Sequence, residues 1–155
     1  MKILKCFLAL VILLGASPAA WAQGDPVKEV RDIAAKRGQA FAKGDVDAWI
    51  ADVADNVVYL PARTGFRIEG KAGMRAWASA LFQNYPIRQN QSRQVTYRVF
   101  QNGTTVIGNS YVDQTFFDRS GYMSPLMFRT TTVWMKIDGR WLLVEQHNSR
   151  MPGSQ

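Results

Sequence analysis

The chain has 155 residues, 47% hydrophobic and 20% charged, with 19 lysines and arginines, 12 acidic residues, one histidine and one cysteine. That length suits one domain with a sizeable core, and a lone cysteine excludes a disulfide framework or a thiolate metal centre. The basic charge is dispersed rather than gathered into a run. Arg88, Arg93 and Arg98 with Tyr85 and Tyr97 therefore read as a solvated face with strand aromatics, and no nucleic-acid partner is expected.

Residues 1–22 read as a signal peptide. Lys2 and Lys5 form a positive start, Cys6 to Leu14 is apolar, and Ala20-Trp21-Ala22 supplies the small residues of a signal-peptidase site. Cleavage is expected after Ala22, releasing a mature domain 23–155 into the periplasm or the medium. The apolar run is shorter than the roughly 20 residues a bilayer span needs, so no integral membrane segment is expected after processing. Processing removes Cys6 and leaves 17 basic against 12 acidic residues, a balance of +5. The mature domain must then be held by its core, which can draw on Trp49, Trp77, Trp134, Trp141 and every phenylalanine except Phe7.

Asp25-Pro26 predicts a capped helix start, with Val27, Val30, Ala34 and Phe41 near one face and Lys43-Gly44 as its stop. Asp45 caps a short second helix carrying Trp49, Ile50 and Val53 on one side. Val57 to Leu60 reads as a strand ended by Pro61. Glu69-Gly70-Lys71 leads into a third helix, where Met74, Trp77, Ala78 and Leu81 form a stripe. Four β-rich segments follow: Val95 to Phe100, Thr104 to Phe117, Leu126 to Ile137 and Trp141 to His147. Asn102-Gly103 and Asp138-Gly139 mark turns between them. Helices first and long antiparallel strands second predict an α+β fold.

The closing segment runs Arg129-Thr130-Thr131-Thr132-Val133-Trp134, Asp138-Gly139-Arg140-Trp141, then His147-Asn148-Ser149-Arg150-Met151-Pro152. It resembles one branch of the SnoaL-like, nuclear-transport-factor-2-like superfamily: the SgcJ/EcaC-type proteins and the association domain of calcium/calmodulin-dependent protein kinase II. Ala42 to Asp47, Ala54 to Val57 and Ile68 to Lys71 are similar to that family's helix junction, strand entry and third-helix start. The resemblance implies a cone-shaped curved antiparallel sheet with three N-terminal helices enclosing a pocket, in homodimers or larger homo-oligomers. It does not fix an activity. Ketosteroid isomerases of the superfamily carry a general-base aspartate where this chain has Leu60, and an oxyanion-hole tyrosine near Arg37. Those losses argue against that proton shuttle. The kinase domain's carboxylate-binding arginines fall on Val112, Thr132 and Asn148.

Candidate site residues follow from chemistry and from the closing motif. His147, the single histidine, is the catalytic candidate, as a base or donor. Arg129 sits inside the apolar run Leu126-Met127-Phe128. It calls for a ligand anion or a structural acid, Glu145 or Asp113. Tyr59 and Tyr111 are candidate hydroxyl donors, and Asn148 completes the ligand-binding set. A two-residue turn at Asp138-Gly139 pairs Ile137 with Arg140, Thr131 with Gln146 and Arg129 with Asn148, so Arg129 and His147 face opposite sides. A single β-bulge brings them to one side. One imidazole and no acidic pair at ligand spacing predict no metal, and no fingerprint predicts a cofactor. Three functions stay open. The first is an exported pocket protein for a small, largely apolar molecule that can carry an acid group. The second is a cyclase, isomerase or hydratase using His147 and a tyrosine, and the third is an oligomerisation module. Met127, Val133 and Met135 alternate with Phe128 and Trp134, so both sheet faces call for cover, one of them by a second copy.

Overall fold

The computed structural model describes residues 24–152; the expected signal peptide and cleavage site lie outside the described residues. Helix α1, Pro26–Lys43, starts where the sequence places it. Asp25 accepts hydrogen bonds from the backbone N–H of Val27 at 3.0 Å and Lys28 at 3.3 Å. Gly44 stops the helix at φ 76°, a left-handed conformation that disfavours a side chain. Asp45 then caps α2, Val46–Ile50, through the Ala48 N–H. Helix α3, Gly70–Asn84, buries Met74, Ala78 and Leu81 as its stripe predicts, and adds Phe82. None of these helices is long and apolar enough to cross a membrane.

Six strands form one curved, unclosed sheet: β1 Val53–Leu60, β2 Ile68–Glu69, β3 Ile87–Phe100, β4 Thr105–Phe117, β5 Met123–Ile137 and β6 Arg140–Arg150, in the order β2-β1-β6-β5-β4-β3. This is the expected α+β cone. The pairing is antiparallel except that β1 runs parallel to β6. That long-range pairing extends β1 back to Val53, which partners Leu143, ahead of the expected start at Val57. β3 begins eight residues before the expected Val95. Its polar run Arg88 to Gln94 has weak strand propensity, but pairing with β4 from Ile87–Phe117 to Arg93–Tyr111 overrides it. Asp138 and Gly139, at φ 49° and 78°, make the expected tight turn.

The helices cross the concave face over an aromatic core. Phe41 of α1 packs edge-on to Phe82 at 5.3 Å and Phe116 at 6.0 Å between ring centres. Tyr59 packs on Trp77 at 5.1 Å and on Trp49 at 6.1 Å. Burying each such side chain contributes about 2–3 kcal/mol. Two polar clamps fix α1 over the sheet. At its start, Glu29 accepts from Trp141 Nε1 at 2.7 Å and from Lys136 Nζ at 3.2 Å. At its end, buried Arg88 donates from Nε to the Phe41 carbonyl at 2.9 Å and from Nη2 to that of Ala42 at 3.4 Å. Its Nη1 reaches the carbonyls of Phe82, at 3.3 Å, and Tyr85. One guanidinium thus caps α1 and α3 together. A Cβ on Gly44 would lie 2.5 Å from Arg88 Nη2, a second reason for glycine there.

Arg88→Met is expected to lower unfolding free energy by about 2–4 kcal/mol, because it strips charged donors from helix-end carbonyls. Urea unfolding followed by circular dichroism measures it, and a loss below about 1 kcal/mol rejects the joint cap.

Candidate functional site

A cavity of about 730 Å³ lies between the concave sheet face and the helices. Strand alternation supplies most of its wall. On β5, Phe128, Thr130, Thr132 and Trp134 point inward. On β3, a bulge between Arg93 and Thr96, with Gln94 at φ 50°, keeps Ser92, Val95 and Tyr97 all on the inner wall. α1, α2 and α3 add Phe41, Trp49 and Trp77.

The lining charges are Arg31, Arg37 and Arg63; no Asp, Glu or His is among the lining residues. Arg37 lies three residues after Ala34 and four before Phe41, on the buried stripe of α1. It is 7% exposed. Its Nε donates to the Trp49 carbonyl at 2.9 Å, and the guanidinium carbon sits 5.2 Å from the Trp49 ring centre and 5.7 Å from that of Trp134. Nη2 is buried without a hydrogen-bond partner, and Arg37 joins no salt bridge among the described residues. Burial pushes its pKa down to about 10, so it remains a cation at neutral pH. Arg63 is better satisfied: Nη2 donates to the Ser124 carbonyl at 3.1 Å and to Ser124 Oγ at 3.2 Å, with the guanidinium 3.9 Å from the Phe116 ring centre.

The other polar groups form a chain. Gln146 Nε2 donates to Asn148 Oδ1 at 3.2 Å, and Asn148 Nδ2 makes a long, 3.4 Å bond to the Tyr59 oxygen. Tyr59 therefore receives a proton donor and keeps its own O–H to give. Burial raises its pKa, so the hydroxyl stays protonated. Thr130 Oγ1 and Trp134 Nε1 are buried without partners. Arg37 Nη2, Trp134 Nε1 and Thr130 Oγ1 are thus buried polar atoms without partners, on residues of a cavity whose lining holds no acid.

The structure divides the expected site residues. Tyr59 and Asn148 line the cavity together, while Arg129, His147 and Tyr111 stand exposed on the outer, convex face and do not line it. One bulge decides this. Ile137 pairs with Arg140 as expected, but Val133 pairs with Glu145 and Trp134 with Leu143, leaving Val144 as an extra residue. Beyond it, Thr131 pairs with His147 and Arg129 with Ser149, one position from the simple register. Arg129 and His147 do share a face, but the outer one; the bulge turns His147 out and Asn148 in. Arg129 takes neither expected acid partner: Asp113 pairs with Arg93 at 2.7 Å, and Glu145 joins no salt bridge among the described residues. His147 Nε2 lies 3.2 Å from Ser149 Oγ. The buried cation among the lining residues is Arg37, which in the sequence stands only where related isomerases carry a tyrosine. Its signal was positional, a charged residue on the apolar stripe Val30, Ala34, Phe41.

An open cone with a lined interior defines a nuclear-transport-factor-2-like protein. Within that class the chain belongs to the SnoaL-like domain family, whose model matches residues 30–154. No curated protein matches the chain. Among solved structures, it is similar to a Xanthomonas campestris protein provisionally named a calcium/calmodulin-dependent protein kinase II association domain. The identity is 21%, the TM-score 0.72, and the match covers 81% of this chain and 88% of that one. A Salmonella enterica nuclear transport factor 2-like superfamily protein gives 14%, 0.73, 84% and 94% in the same order. A provisional scytalone dehydratase from Novosphingobium aromaticivorans gives 10%, 0.73, 81% and 83%. These likenesses establish the fold.

Holding a guanidinium at about 10, well below its ordinary value, costs the empty protein on the order of 3 kcal/mol at neutral pH. The sign follows from the depressed folded-state pKa: the cost is full below pH 10 and fades as pH rises toward the ordinary arginine value. Arg37→Met removes that cost and forfeits about 1 kcal/mol of hydrogen bond to Trp49. The empty variant is therefore expected to gain about 2 kcal/mol in urea unfolding at pH 7. A loss of similar size assigns Arg37 a structural role.

Proposed function

We propose that this protein is an exported binding protein that holds one small, largely apolar organic molecule inside the cone. The observation that carries this reading is the cavity: about 730 Å³, walled by aromatic side chains, with buried polar groups left unpartnered inside it. That volume lies in the usual range for small-molecule sites, and buried donors without partners call for an acceptor from outside the chain. The wall favours binding over catalysis. Its lining holds no imidazole or carboxylate, and its buried tyrosine, Tyr59, is held protonated, so no base is available there at neutral pH. A dehydratase-like or isomerase-like reading built on His147 is disfavoured by that residue's position on the outer face. Export rests on the leader and its Ala20-Trp21-Ala22 site.

Mass spectrometry of protein recovered from its native host tests both parts. Under denaturing conditions the mass is expected to match residues 23–155; retention of Met1 rejects export. Under native conditions an added mass of a few hundred daltons is expected, lost on denaturation. Consistently empty protein counts against a resident ligand.

Self-association is a second part of the proposal. The outer face exposes Tyr111, Met127, Met135 and Ile137, each 37–40% accessible, along β4 and β5. Such a patch favours a second copy as its cover. Light scattering at micromolar concentration is expected to give at least a dimer, and a strict monomer rejects it.

A further inference from the structure

We propose that the cavity selects a flat aromatic monocarboxylate, with the acid group on Arg37 Nη2 and Trp134 Nε1 and the ring among the aromatic side chains of the wall. This rests on the binding reading above and names the ligand class it left open. Three observations carry it. The lining charges are all positive, and Arg37 alone of the three is fully buried, so one anionic group is what the interior lacks. Arg37 spends Nε on the Trp49 carbonyl, which fixes the guanidinium plane and leaves Nη2 as a buried donor with nothing to give to. Trp134, whose ring lies 5.7 Å from that guanidinium carbon, has its own N–H buried and unpartnered. An indole N–H and a guanidinium N–H are both donors only, so the ligand atom that satisfies them must be an acceptor; a carboxylate can meet both.

The body of the ligand follows from the wall. Trp49, Trp77, Tyr97, Phe128 and Trp134 present rings to the cavity, suited to offset or edge contact with a planar ring system. The polar cluster around Tyr59 is neutral: Thr130 pairs across the strands with Asn148, which reaches Tyr59. That second cluster offers hydrogen bonds without charge, so it accommodates a hydroxyl or carbonyl on the ring rather than a second acid. The anion seat differs from one built on the sheet, since Val112 and Thr132 are uncharged and the cation arrives from α1.

Isothermal calorimetry on the full protein, freed of bound molecules by dialysis, tests this with 2-naphthoate and its neutral isostere 2-naphthamide. Naphthoate is expected to bind at least tenfold more tightly, with affinity flat from pH 6 to 9 because no lining residue is an imidazole or a carboxylate. Arg37→Gln is expected to erase the preference by bringing naphthoate down to the affinity of naphthamide. Arg37→Lys, which keeps the charge but loses the fork, is expected to retain part of it, and decides the matter if the glutamine variant does not fold. Equal affinities on the unaltered protein overturn the carboxylate assignment and leave the binding reading standing. A preference that survives in Arg37→Gln overturns the assignment to Arg37. Binding of neither compound at millimolar concentration overturns the aromatic class and counts against the binding reading as well.

Discussion

The cone depends on one buried guanidinium that joins no salt bridge among the described residues. Arg88, at the start of β3, gathers the terminal carbonyls of α1 and α3, and its plane lies 4.6 Å from the Phe82 ring centre. Helix ends carry unsatisfied carbonyls and partial negative charge, so a cation there is favoured twice over. Because both helices meet the same side chain, their spacing is set at the point where the sheet begins. Glu29 performs the complementary task at the other end of α1, bringing its first turn to Trp141 and Lys136. Between those two clamps the helix is held away from the sheet centre, and the cavity is the space left over.

Arg37 shows the opposite logic on the same helix. Arg88 is satisfied by several carbonyls; Arg37 has one, and its remaining buried donor points at nothing in the chain. Such a group costs the core free energy that a hydrogen-bond partner would offset. Two tryptophan faces reduce the cost without removing it. The two arginines, one on β3 and one on α1, are thus buried in different ways: Arg88 is met by helix-end carbonyls, and Arg37 keeps a donor without a partner.

Two of the sheet's register shifts, those in β3 and β6, assign the faces of the cavity wall. The β3 bulge at Gln94 keeps the aromatic and small side chains of that strand on the inner wall, and the β6 bulge at Val144 exchanges His147 for Asn148. Each bulge also strengthens the local twist, which helps an open six-stranded sheet curl around an interior. The outer rows that result, Tyr111–Arg129–Ser149 and Asn109–Thr131–His147, form a mixed polar and aromatic surface beside exposed methionines.

Local chemistry was legible in the sequence. Asp25, Gly44 and Asp45 mark helix ends because their caps are made within three residues along the chain, and the Asp138-Gly139 turn needs only its own two dihedral angles. The stripe of α3 and the β-rich second half gave the fold class by periodicity alone, and the closing motif carried the family resemblance. Tyr59, read as a candidate hydroxyl donor, and Asn148, from the closing motif, both line the cavity. Tertiary structure decided the rest. A bulge inserts one residue and inverts every side chain beyond it, and nothing in Trp141 to His147 marks Val144 as that residue. β3 runs through a polar segment because its partner strand, not its own propensity, supplies the hydrogen bonds. Whether Arg37 has an acid partner depends on which distant side chains the fold brings to it; among the described residues none forms a salt bridge with it, and Asp52 supports its charge only from beyond salt-bridge distance.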